Sequence, residues 1–110
     1  MSKYRSKRVT LDGITFDSIR ESRRYAELML LQRAGHISDL RLQVPFELIP
    51  SQRDSSGKVV ERKVRYIADF VYKDRSGEIV VEDAKGVRTE VYLLKKKLMR
   101  YVHNIEIKEV

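Results

Sequence analysis

The chain has 110 residues, 42% of them hydrophobic and 35% charged, which is enough for one hydrophobic core and too little for two, and is not the composition of a disordered chain. It has no cysteine and two histidines, which excludes disulfides, thiolate metal sites and a cysteine nucleophile and makes a histidine-rich zinc site improbable. The net charge of +7, from 23 Lys and Arg against 16 Asp and Glu, favours a polyanionic partner, nucleic acid first.

The first ten residues hold Lys3, Arg5, Lys7 and Arg8 and no acid, so residues 1–10 are read as a basic N-terminal arm and residues 11–110 as a single domain. In "VTLDGITF" the Asp12-Gly13 pair between β-prone triplets predicts a two-stranded ribbon. "DSIRESRRYAELMLLQRAG" begins with Asp17 or Ser18 as N-cap and stops at Gly35, which predicts a helix with Tyr25, Leu28, Met29 and Leu31 on its apolar stripe. Glu21 falls near the middle of that stripe. Because Ser18 and Glu21 also form a capping-box pattern, Glu21 has two open readings, a helix cap or a ligand turned toward the sheet.

"LRLQVPFELIP" alternates Leu42, Val44, Phe46 and Leu48 with polar residues, the pattern of a strand with one buried face, and Pro45 suggests an edge or a bulge. "SQRDSSGK" is read as an exposed polar loop. "VVERKVRYIADFVY" and "EIVVEDAK" then predict two long strands joined by "DRSG". "RTEVYLLKKKLMRYVHN" predicts a second helix with Val91, Leu94, Leu98, Tyr101 and Val102 inward and Lys95, Lys96, Lys97 and Arg100 mostly outward. "IEIKEV" is a last strand, placed by a right-handed crossover parallel to the strand before that helix. The fold class is α/β: a mixed sheet with packed helices, in the order ribbon, helix, three strands, helix, strand. No stretch is apolar and long enough to span a bilayer, the longest aliphatic run being Leu28 to Leu31, and no signal-peptide pattern opens the chain, so no membrane partner and a cytosolic location are expected.

Gly77 as the left-handed residue of a three-residue loop sets Asp74 opposite Glu78 and therefore Asp69 opposite Asp83. Strict alternation then puts Ile67, Asp69, Val71, Val81, Asp83 and Lys85 on one face, with Tyr66, Ala68, Phe70, Val80, Glu82 and Ala84 on the other. Two carboxylates about 5 Å apart repel unless a cation lies between them. Hard oxygen donors suit Mg²⁺ or Mn²⁺. The plain alternative is an ion pair of Asp69 with Lys85 and a solvated Asp83.

Asp69, then Asp83-Ala84-Lys85 on the next strand, with Glu21 upstream, resembles the core of the PD-(D/E)xK nuclease superfamily of restriction endonucleases and archaeal-type Holliday junction resolvases. "FDSIRESRRYAEL", "YIADFVY" and "VVEDAKG" resemble more closely a family of small phage and prophage proteins, a domain of unknown function assigned to that superfamily. Ala68 stands where the motif has proline, and Glu82 is out of the E-x-K frame, leaving Asp83 as the carboxylate in frame. The resemblance implies a restriction-endonuclease-like core and Mg²⁺- or Mn²⁺-dependent DNA endonuclease activity, in the host cytoplasm if phage-encoded. Asp69, Asp83 and the Ala84 carbonyl would hold the metal, Glu21 would join them directly or through water, and Lys85 would orient the attacking water. Gln43 would support Glu21 or touch the phosphate. DNA contacts are expected from Lys3, Arg5, Lys7 and Arg8, from Arg20, Arg23 and Arg24, and from Lys95 to Lys97. A resolvase acting on branched DNA would be a homodimer, so that two sites cut two strands. The competing readings are a catalytically silent nucleic-acid-binding protein of the same fold and a structural protein whose acids are only ion pairs.

Overall fold

The computed structural model describes residues 7–84 and 87–110. Strands β1 (Val9–Leu11) and β2 (Ile14–Phe16) form the expected ribbon across Asp12-Gly13. Helix α1 (Ile19–Arg33) starts where the Ser18 hydroxyl accepts the Glu21 amide. It ends in a Schellman turn: Gly35, at φ 79°, donates to Gln32 and His36 donates to Leu31. Ser22, Tyr25 and Leu28 face inward, close to the predicted stripe.

The main sheet is mixed and four-stranded. It contains β3 (Ser38–Ile49), β6 (Val64–Lys73), β7 (Ile79–Asp83) and β8 (Lys108–Glu109), in that order, and only the β7–β8 pair is parallel. Helix α2 (Glu90–His103) makes the crossover between the parallel strands. Between β3 and β6 the predicted loop and the start of the predicted long strand form instead a separate ribbon, β4 (Gln52–Arg53) with β5 (Val59–Glu61).

The β6–β7 hairpin has the predicted register, with Phe70 opposite Glu82 and Lys73 opposite Ile79. Its loop closes as expected: the Asp74 and Glu78 backbones bond, and Gly77 sits at φ 85°. The Asp74 side chain accepts from the Ser76 amide and hydroxyl and from the Glu78 amide.

The predicted faces need correction. Tyr66 and Ala68 pack with Val71 and Val81 in the cluster under α2, whereas Phe70 and Tyr72 pack with Phe16, Tyr25 and Leu28 in the cluster under α1. β3 changes sides at the same place, Leu42 joining the α1 cluster and Val44 the α2 cluster. The ladder keeps register across the change, with Leu42 opposite Phe70 and Val44 opposite Ala68. Gln43 lies between them at φ 52°, a left-handed conformation that reverses the pleat. A period-2 sequence therefore feeds both cores.

Helix α2 is also turned relative to the prediction. Tyr92 and Met99 are buried, while Val91, Leu94, Tyr101 and Val102 are exposed, Tyr101 at 88%. The buried stripe carries polar tips that the periodicity discounts. Tyr92 donates to Glu109 at 2.8 Å and Lys96 reaches the same carboxylate at 3.3 Å, so their stems pack while their heads meet β8. Accordingly, Met99→Ala should lower unfolding free energy by about 2–5 kcal/mol and Tyr101→Ala by less than about 0.5 kcal/mol in urea titrations; the reverse ranking would restore the predicted face.

Candidate active site

Past the Phe70–Glu82 pair, β7 leaves β6, and the Asp69 side chain replaces the ladder: its Oδ2 accepts the Ala84 backbone N–H at 2.8 Å. From the next strand, Gln43 Nε2 donates to Asp69 Oδ1 at 3.3 Å and to Glu21 Oε1 at 3.0 Å. Three side chains from α1, β3 and β6 thus meet around one amide group. The Ser18 hydroxyl caps the Glu21 amide while the Glu21 carboxylate is held by Gln43, so Glu21 contributes both to the helix start and to the cluster.

The cluster opens on a cleft of about 790 Å³, whose wall includes Asp17, Arg65, Ile67 and Lys95 as well as Glu21, Gln43, Asp69 and Ala84. A non-glycine residue in the left-handed region costs of order 1–3 kcal/mol and persists where surroundings enforce it, commonly at functional sites. Gln43 is such a residue, and it is the one that links the two carboxylates.

Asp83 does not join them. It is 1% exposed, and its Oδ2 accepts the Tyr66 hydroxyl at 2.7 Å. Burial, and after it the bond to Asp83, pushes the Tyr66 phenol well above the ordinary tyrosine range, so Tyr66 stays a protonated donor. The ladder ends at Phe70 and Glu82, one pair short of the predicted Asp69–Asp83 pairing; the pleat reversal turns Tyr66 onto Asp83 and leaves Asp69 to Gln43 and Ala84. Among the described residues no group of three or more His, Asp or Glu is gathered closely enough to hold a metal ion. Lys85 lies outside the described residues, as do Lys3 and Arg5.

Of the expected DNA contacts, Lys7, Arg8 and Arg23 are exposed, and Arg20 is exposed with a 3.4 Å bond to the Val110 carbonyl. Lys97 is exposed and Lys96 pairs with Glu109. Arg24 belongs to the packing instead: its Nε and Nη2 grip both oxygens of the fully buried Glu82 at 2.7 and 2.6 Å, and Tyr72 donates to the same carboxylate. The bond to Glu82 raises the Arg24 pKa further, and burial first, then the bond to Glu82, lifts Tyr72 to about 12. Sequence reasoning missed Tyr66 and Arg65. Strict alternation put Tyr66 on the face away from Asp83, and nothing in the sequence of Gln43 signals a left-handed backbone.

The donor chemistry around Gln43 fits a hard divalent cation. Both acids offer only oxygens, and Mg²⁺ is commonly held by one or two carboxylates with waters and substrate phosphate completing its shell.

A family model described as protein of unknown function (DUF1064) matches residues 1–109. No curated protein and no solved structure matches the chain. Among the described residues no helix is long and apolar enough to cross a membrane.

Two substitutions check the local geometry. Gln43→Gly should be more stable than Gln43→Ala by about 1–2 kcal/mol, since only the alanine keeps the left-handed penalty; equal unfolding midpoints would contradict the assigned backbone. Arg24→Ala should cost about 3–5 kcal/mol by stranding Glu82, and Arg24→Met with Glu82→Leu should recover most of it in the same denaturation assay.

Proposed function

This chain belongs to the DUF1064 family, and we propose that it is a metal-dependent nuclease of the PD-(D/E)xK kind, hydrolysing phosphodiester bonds in DNA. The observation that carries the reading is the meeting of Glu21, Gln43 and Asp69 at the mouth of a cleft that also presents Arg65 and Lys95. A cleft with acids at one point and cations beside them suits a phosphodiester, whose charge the cations offset while the acids hold an ion against it. The motif resemblance of Asp69 and Asp83-Ala84-Lys85 supports the same conclusion.

Glu21 and Asp69 would hold Mg²⁺ or Mn²⁺, with the Ala84 carbonyl as a further oxygen. When bound, the ion would supply a Lewis acid at the phosphoryl oxygen and lower the pKa of its water. The chain's own groups would do the positioning. Gln43 fixes the two carboxylates relative to each other, and the Ala84 N–H holds the second oxygen of Asp69. Asp83, clamped by Tyr66, would add negative charge behind the site, and Arg65 and Lys95 would bind phosphates. Lys85 would orient the attacking water. The net charge of +7 supplies general attraction to DNA and a strong salt dependence.

The engagement of Asp83 by Tyr66 favours a second reading, a nuclease-like fold that binds nucleic acid without cutting it. Single-stranded, duplex, flap and four-way DNA incubated with Mg²⁺ or Mn²⁺ decide between them. The nuclease should cut at least one substrate only with the ion present. Glu21→Ala and Asp69→Ala should abolish cutting while DNA is still bound, and Gln43→Ala should slow it by about 10–100-fold, as loss of a ligand-orienting partner does. Binding without cleavage by the wild type, with either ion, would leave only the second reading. Cleavage confined to four-way junctions would identify a resolvase and call for a homodimer.

A further inference from the structure

Residues 50–63 are exposed without interruption. Within them β4 and β5 pair only as a free ribbon, with Gln52 opposite Glu61 and Arg53 opposite Val59. Burial does not hold this ribbon together. Its tip does: the Asp54 side chain accepts from the Ser56 amide and hydroxyl and from the Lys58 amide, and the Arg53 guanidinium bonds to the Gly57 carbonyl. These bonds, the Ser56 hydroxyl foremost, hold the Asp54 carboxyl below its usual range. The acid at the tip is thus spent on the turn.

Outside the turn acid Asp54, the ribbon presents four cations, Arg53, Lys58, Arg62 and Lys63, and one acid, Glu61, to solvent, with Val59 and Val60 exposed as well. A bare surface hairpin needs no exposed valines in succession, and two-stranded ribbons are marginal alone in water. The strand that follows carries Arg65, Ile67 and Asp69 along the wall of the cleft, so the ribbon springs from the strand that lines the site.

We propose that the β4–β5 ribbon is a nucleic-acid-gripping wing that lies in a groove of duplex DNA and delivers the adjoining backbone to the cleft. The proposal rests on the nucleic-acid reading above and deepens it. Pro50 to Arg53 spans roughly 10 Å in extended conformation, and the major groove, about 12 Å wide and 8.5 Å deep, admits a two-stranded ribbon. Arg53, Lys58, Arg62 and Lys63 would reach phosphates on the groove walls, while Val59 and Val60 would touch sugars or thymine methyl groups.

The test is binding of a fluorescent 30-base-pair duplex in Ca²⁺ or EDTA across a series of NaCl concentrations. It compares the wild type, Lys58→Glu, and the combined variant Lys58→Ser, Arg62→Ser and Lys63→Ser, which leaves the Arg53 bond to the turn intact. The combined variant should retain its unfolding midpoint and lose at least about tenfold in affinity, with its log K against log[salt] slope shallower by about 0.9 for each phosphate contact removed. Lys58→Glu should show a smaller loss in the same direction. Unchanged affinity and slope in both folded variants would overturn the wing, as would a wild type that binds no duplex. A reduced slope in the variants of a wild type that binds and never cuts with Mg²⁺ would uphold the wing and overturn the nuclease.

Discussion

The reversal of the pleat at Gln43 and Asp69 is the constraint from which the rest of the molecule follows. A sheet that alternated without interruption would bury one face of β3 and β6 and leave the other to water. With Gln43 at φ 52° the strands change sides between Leu42 and Val44 and between Ala68 and Phe70. One end of the sheet is thereby covered by α1 and the first ribbon, and the strands also present apolar groups to α2. The reversal leaves two side chains at the switching point with no regular place in either core. Those two meet each other at the cleft, where Gln43 bonds Asp69 and also Glu21.

The same event sorts the acids of the hairpin into different environments. Glu82, on the α1 side, is fully buried and matched by the Arg24 guanidinium and the Tyr72 hydroxyl, a bidentate arrangement that ties the helix to the sheet. Asp83, one residue on, lies on the α2 side beneath Tyr66. Asp69 stands between them at the cleft, its two oxygens shared by a backbone amide and Gln43. Ion-pair chemistry alone accounts for Glu82. It does not account for a strained glutamine holding two carboxylates at the edge of a cleft, because surface acids left to water would cost less than 1–3 kcal/mol of backbone strain.

Local chemistry was legible wherever the sequence carries it in one residue type. Asp12-Gly13, Ser18 and Gly35 marked the first ribbon and helix, and Gly77 set the hairpin register that pairs Lys73 with Ile79 and Phe70 with Glu82. The faces were not legible, because they depend on a left-handed backbone at a glutamine, which has no glycine-like or asparagine-like signature. Helix α2 misled for a related reason: counting apolar residues selects Val91, Leu94 and Tyr101, whereas the packed stripe is built from Met99 with Tyr92 and the Lys96 stem, and the polar tips of the latter two find Glu109. Gln43 was singled out beside Glu21, but only the fold supplies the reason that it touches both acids.

The two Asp-x-Ser-Gly turns make the division of labour plain. Asp54 and Asp74 close their loops with the same set of bonds, to the serine amide and hydroxyl two residues on and to the amide four residues on. The second turn joins strands buried on both sides, where the loop fixes a register that the core then stabilises. The first joins strands that touch no core, so the turn itself must hold them in pairing. A rigid tip on an otherwise unsupported, cationic ribbon contributes little to folding. It does reduce the freedom the ribbon would lose on meeting a partner, and that reduction favours binding even where each phosphate contact is weak.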